Sequence, residues 1–504
     1  MFNKHPKGLI AASFANLGER FGFYTMMAIL VLFLQAKFGL DGKTAGLIYS
    51  TFYFSIYILA LIGGIIADKS RNYKGTILGG IVLMALGYVL LAIPSDTPVE
   101  NQTLFLTITC VALFVIAFGN GLFKGNLQAL VGQMYDNEKY ASMRDSGFSL
   151  FYMFINVGAI FAPFAAVGVR NWWLTTHGYS YNADLPALCH GYLGGTLSEE
   201  AIVTYQALSQ EACGEAVADL TAFANDYLNV FTTGFHYAFA VAILAMAISL
   251  IIFVVNKAKF PDPSKKEENA KSGAQVVEMS AAEVKQRMYA LFAVFGVVIF
   301  FWFSFHQNGL TLTFFAKEYT ELNLFGMPIT AELFQSLNPF FVVFLTPIIM
   351  SVFAAQRAKG KEPSTPKKIA IGMGIAATGF LVMAIGSYLG DLPLHKDIVA
   401  AGTSPVKVAP LLLMLTYFIL TVAELYISPL GISFVSKVAP PKYQGIMQGG
   451  WLGATALGNQ LLFVGALLYE SIPIWMTWTV FVVACSISMF TMLFMLKWLE
   501  RVAK

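Results

Sequence analysis

Glu19 and Arg20 stand side by side in the middle of an apolar stretch, 9–34. That stretch is long enough to cross a bilayer, which takes about 20 helical residues. A charge held at such depth costs roughly 2.5–3.5 kcal/mol on insertion scales, so it persists where it is paired or faces a watery cavity. Lys124, His306 and Glu424 lie inside other apolar stretches. Arg20 can fork two hydrogen bonds to a carboxylate, and Lys124 supplies a point charge. His306, whose imidazole ordinarily titrates near neutrality, is a candidate proton acceptor or a neutral hydrogen-bonding residue. Glu19 and Glu424 are the other candidates to carry a proton. Charges of this kind in greasy helices are the equipment of a machine that moves something polar. The alternative for each residue is a structural ion pair that fixes helix register. For Glu19 and Arg20 the adjacency argues against it, because neighbours along a helix do not face each other, and each is expected to find a different partner.

The elements that must position these groups are membrane helices. Hydrophobic residues make up 57% of the chain and charged residues 12%, far from the quarter or so of charged residues in soluble domains. The 44 Phe and 43 Gly suit closely packed membrane helices. The first apolar stretch is too long for a cleavable signal peptide and carries Glu-Arg in its middle, so it is expected to remain as a helix. Apolar runs place twelve spans near 9–36, 45–67, 75–94, 103–133, 146–169, 231–256, 288–317, 331–355, 368–390, 408–438, 445–470 and 474–499. With a cytoplasmic N-terminus, 24 of the 32 Lys and Arg fall on the cytoplasmic side, which predicts a multi-pass protein with both termini in the cytoplasm. The default address is a cell membrane, plasma or inner.

The segment 257–287 contains Pro261, Pro263 and a Lys/Glu run and reads as a cytoplasmic linker between a six-helix bundle over 1–256 and a second over 288–504. An extracytoplasmic insertion near 170–230 holds Trp172-Trp173, a possible helix around 198–228, and Cys189 and Cys213, a candidate disulfide in an oxidising compartment. Scattered histidines, unsuitable cysteine spacing and the lack of a phosphate loop give no sign of an enzyme, a metal site, a cofactor or a nucleic-acid partner.

Several stretches resemble the proton-coupled oligopeptide transporter family, the peptide branch of the major facilitators. Phe151-Tyr152-Met153-Phe154-Ile155-Asn156-Val157-Gly158 is similar to its FYxxINxG signature, 63–69 to GGxxAD, and Gln335-Ser336-Leu337-Asn338-Pro339 to QSxNP. Glu424 through Pro429, Pro440, Gly445 and Gly449-Gly450-Trp451 resemble the tenth and eleventh helices. The first helix departs from the family's ExxERFxYY: Asn16 stands for its first glutamate and Met27 for a second arginine. His306 occupies a position that is usually glutamate. In the family that glutamate and arginine are thought to pair, so the joint loss of Met27's and His306's counterparts avoids stranding a buried charge.

The resemblance implies an all-α major facilitator fold and a secondary transporter of di- and tripeptides, driven by protons through alternating access. It gives Arg20 and Lys124 the peptide carboxylate and Glu424 the amine, with Asn156 and Asn338 as neutral helpers. Tyr24, Tyr57, Trp302 and Trp451 become pocket walls. Lys124 and Glu424 become a gate between the halves. The expected partners are peptide, protons and lipid. Two rivals remain: a transporter of another small solute (nitrate, a modified amino acid or a peptide-like drug) with altered coupling, which the three departures favour, and a non-transporting peptide receptor that would recognise its ligand through 170–230.

Overall fold

The computed structural model describes residues 5–70, 72–135, 139–140, 144–261, 279–440 and 443–503. The middle of the expected linker, 262–278, lies outside the described residues. Among the described residues twelve helices or helix pairs are long and apolar enough to cross a membrane, so this is a multi-pass membrane protein. The first six crossings are α1 (Lys7–Phe38), α2 (Gly42–Ser70), α3 (Tyr73–Ala92), α4 (Gln102–Gln133), α5 (Arg144–Thr176) and α8 (Leu220–Val255). Between the last two lie α6 (Leu185–Leu193) and α7 (Glu199–Cys213).

Two later crossings are each broken into two helices. The seventh is α9 (Ala281–Phe305) and α10 (Thr311–Tyr319), joined by a tight turn over His306–Gly309. The eleventh is α15 (Gln444–Gln460) followed at Leu461 by α16 (Leu462–Ser471). The rest are α11 (Leu337–Ala358), entered through the turn Ala331–Ser336, α12 (Thr365–Leu389), α14 (Leu411–Val438) and α17 (Ile474–Val502), with a short α13 (His395–Ala401) outside them. Side chains of Asn72, Asn101, Ser198, Asp219, Ser280 and Ser364 cap the helices that follow them, accepting from otherwise unpaired first-turn amides.

The expected spans err mainly in length. The fifth helix runs to Thr176 and the sixth begins at Leu220: polar residues interrupt the apolar run in their outer turns, while α5 still packs on α8 and α8 on α6 and α7. The helix expected over 198–228 is two: α7 stops at Gly214, whose φ of 75° sits in the left-handed region that glycine tolerates, and α8 restarts at Asp219's cap. Cys189 and Cys213 are free thiols rather than a disulfide. Cys189 is buried, with Sγ directed at Tyr205 Oη at 3.8 Å, and burial pushes its thiol up to about 12 despite that contact.

The densest packing lies within two sets, α1–α5 with α8, and α9–α17; the sets meet where α2 lies on α15 and α16 and where α5 lies on α11. Glycines set the approach of α4 to its neighbours. A Cβ on Gly121 would sit 2.5 Å from Leu59 O, whereas one on Gly125 meets nothing within 4 Å. Gly121→Ala is therefore expected to cost about 1–3 kcal/mol by overpacking, read as a lower Tm, and Gly125→Ala to leave Tm unchanged. Equal Tm values for the two variants would contradict this packing account.

Candidate functional site

Helix α1 brings Glu19 and Arg20 to mid-depth, and there they pair with each other. Arg20 Nε donates to Glu19 Oε2 at 2.5 Å and Nη2 to Oε1 at 2.6 Å, with both residues buried. The expectation of separate partners fails because both side chains are long enough to fold back over one turn, although their Cβ atoms point apart. Asn120 on α4 adds a third bond to Glu19 at 2.7 Å. The guanidinium also lies 4.6 Å from the Phe23 ring centroid and 5.9 Å from that of Tyr24. Arg20 is thus largely neutralised.

Lys124, one helix over, is not. It is half-buried, sits 5.0 Å from the Tyr57 ring centroid, and among the described residues has no carboxylate partner. Tyr57 ends a stripe of tyrosines at 49, 53 and 57, with successive ring centroids 5.9 Å apart. That spacing of four was readable in the sequence, yet only Tyr57 was singled out.

On the other set of helices, Asn338 Nδ2 donates to Glu424 Oε2 at 2.8 Å and to Thr421 Oγ1 at 3.1 Å. Lys124 and Glu424 do not touch as an ion pair in this conformation. Tyr24, Tyr57 and Tyr152 all lie within electrostatic reach of Glu424, and of these Tyr57 also lies beside Lys124. Tyr152 is half exposed, and its carbonyl accepts from Asn156 Nδ2 at 3.1 Å. Trp451 is buried against α14, where Gly431 leaves room for its ring.

His306 sits at the break between α9 and α10 in an aromatic cage. Its ring stacks 4.8 Å from Trp302 and lies 4.8 Å from Tyr53 of the opposite set. Nδ1 donates to Asn459 Oδ1 on α15, a partner that sequence reading missed. Met27 is buried in the core and Asn16 is buried on the same helix.

One end of the molecule, the end bearing α6 and α7, is sealed by bonds between the two sets. Arg170 on α5 pairs with Glu332 ahead of α11, both fully buried. The Arg170 guanidinium also lies 4.0 Å from the Tyr181 ring centroid. Thr403 donates to Asp184 at 2.8 Å and Thr204 to Ala401 O at 2.7 Å. Glu470 on α16 accepts from Gly42 N at 2.5 Å and Lys43 N at 3.3 Å, a carboxylate placed on the free amides of α2's first turn. Nearer mid-depth, Gln460 bonds Thr51 at 3.3 Å and Gln335 Nε2 donates to Ala28 O at 3.2 Å, both across the two sets.

His395 braces this seal. Its Nδ1 lies 3.2 Å from Glu318 Oε2 and its Nε2 4.0 Å from Glu470 Oε1. Burial pulls the imidazole's basicity down, Lys317 opposes it further, and the two carboxylates outweigh both, so the net shift is upward. A group raised in the folded state stabilises fully below its unfolded pKa of about 6.5 and loses that contribution as pH climbs through the raised value. Tm is therefore expected to fall as pH climbs above about 6.5, and His395→Gln to remove that part of the fall. An identical pH profile in the variant would rule His395 out as the cause.

The family model described as the POT family matches residues 74–284 and 265–477. The peptide transporter YePEPT of Yersinia enterocolitica is 28% identical over 485 residues, spanning 91% of this chain and 87% of that protein. Dipeptide and tripeptide permease B of Xenorhabdus bovienii is 26% identical over 539 residues, spanning 99% and 96%. A crystal structure of the peptide transporter POT in complex with sulfate aligns with a TM-score of 0.74 at 22% identity, over 100% of this chain and 96% of that one. A POT family transporter in complex with 5-aminolevulinic acid aligns at 0.72 and 21%, over 100% and 98%.

Proposed function

This chain belongs to the POT family and has its major facilitator fold, and from that premise we propose that it is a secondary transporter importing di- and tripeptides together with protons. The observation that carries the reading is the division of charge between the two sets of helices. Lys124, a cation with no carboxylate partner among the described residues, stands on one set of helices, Glu424, a carboxylate held by an amide, stands on the other, and Tyr57 lies beside the first and within reach of the second. A zwitterion fits that division: carboxylate toward Lys124, with Arg20 behind it, and amine toward Glu424, with Asn338 and Asn156 alongside. Tyr24, Tyr57, Trp302 and Trp451 wall the side-chain space. The names of the relatives, a peptide transporter and a di- and tripeptide permease, support the substrate class.

Glu424 is the proton carrier in this reading. Glu19 is committed to Arg20 and Asn120, and His306 to Asn459 within its ring cage, whereas Glu424 has only a neutral donor to release. With the chain in a cell membrane and both termini cytoplasmic, the sealed end faces outward, and the two six-helix bundles rock about the central site. Arg170 with Glu332 then does the outer-gate work of the family pair whose places Met27 and His306 now hold. The test is uptake of labelled dialanine into liposomes holding the purified protein. Accumulation driven by an inside-alkaline gradient is expected. Equilibration indifferent to the gradient would remove the proton from the account, and no uptake above empty liposomes would remove the peptide.

A further inference from the structure

A cavity of about 330 Å³ opens at the sealed end between α1, α6, α8 and α10. Buried Leu32, Phe231 and Lys317 form its inner wall, and exposed Gly39, Gly194 and Thr196 its mouth. None of its lining belongs to the central site. Its volume is at the lower end of small-molecule sites, which run from about 300 to 1,000 Å³.

Two polar groups in the lining lack partners. Lys317 is 9% exposed and, among the described residues, makes neither an ion pair nor a hydrogen bond. Such burial of an ammonium is costly unless something pairs with it. Two acids within electrostatic reach are engaged elsewhere: Asp184 accepts from Thr403 at 2.8 Å, and Glu318 from Tyr469 at 2.9 Å and His395 at 3.2 Å. In the same lining Gln35 Oε1 is buried without a donor. A cation wanting an acceptor and an amide oxygen wanting a donor therefore share one cavity.

We propose that this cavity is a second ligand site, taking a small monocarboxylate with an N–H donor at its other end, an amino acid or a short peptide. The carboxylate meets Lys317 and the donor meets Gln35. Lys317 is the one full positive charge in the lining. His190 is turned aside, Nε2 donating to Ala36 O at 2.7 Å, and burial keeps its imidazole less basic than usual. One charge, with two carboxylates already nearby, matches a monoanion better than a phosphate dianion. Because Lys317 comes from α10 and the remaining wall from α1, α6 and α8, an occupant ties the two sets of helices together and favours the sealed state.

The test is equilibrium binding of labelled dialanine to the full-length protein in nanodiscs. Two molecules per chain are expected for the unaltered protein. Lys317→Met is expected to leave one, and so is Ala187→Phe, which fills the cavity from an exposed position on α6 without touching the charge. Dialanine amide, lacking the carboxylate, is expected to compete at least tenfold more weakly for the site that Lys317→Met removes. Should dialanine not be the transported solute, the protein binds one and Lys317→Met abolishes it, so this inference and the transport reading fail separately. Equal stoichiometry in the unaltered protein and both variants, or no binding at all, would overturn the proposal.

Discussion

Lys124→Gln is expected to lower dialanine uptake by one to two orders of magnitude while leaving Tm within a degree or two of the unaltered protein. A hydrogen bond from a charged donor contributes about 1.5–3 kcal/mol, and about 1.4 kcal/mol is a factor of ten in affinity. Among the described residues Lys124 has no carboxylate of its own, so its charge is available to a ligand and its loss strands no partner. Arg20→Gln provides the contrast. It would leave Glu19 buried with only Asn120 to hold it, so it is expected to lower Tm as well as uptake. Uptake and Tm are read on the same preparations. Undiminished uptake in Lys124→Gln would show that the substrate carboxylate binds elsewhere.

Arg170→Met is expected to open the sealed end. It leaves the Glu332 carboxylate fully buried without its cation, a change that costs about 3–5 kcal/mol in comparable pairs. Only the conformation that keeps Glu332 buried bears that cost, so the balance is expected to move away from the sealed state by a hundredfold or more. Spin labels at exposed Val203 and Val399, on helices α7 and α13 that meet across the seal, report the distance. The short distance is expected to disappear in Arg170→Met and to return in part in the double variant Arg170→Met/Glu332→Gln, where no charge is stranded. A short distance that survives in Arg170→Met would mean that Glu470 and the threonine contacts hold the end closed without the ion pair.

What was legible in the chain follows from what each signal measures. Membrane crossings are set by long apolar runs, so all twelve were placed, and with them the depth of Glu19, Arg20, Lys124, His306 and Glu424. Helix ends were not, because polar turns beyond the hydrocarbon continue on tertiary contacts. That error hid the Arg170–Glu332 pair: Arg170 was counted as the first residue past a span ending at 169, although its helix continues to Thr176. Glu332 stood at the opening of another span and drew no attention. Partnerships across long separations were also beyond reach, as with His306 and Asn459, 153 residues apart. The pairing of Glu19 with Arg20 was misjudged for a different reason, since Cβ directions do not bound what long side chains reach. Asn338 beside Glu424, read from a motif, is a contact in the structure.

The central claim is that one peptide enters with protons through a site split between Lys124 and Glu424. Its most direct test is the lumenal pH of liposomes loaded with a pH-sensitive dye, followed as dialanine is added outside. The account predicts prompt acidification with the unaltered protein and none with Glu424→Gln, although that variant should still exchange labelled dialanine across the membrane. Acidification that persists in Glu424→Gln, or dialanine entry with no pH change in the unaltered protein, would contradict it.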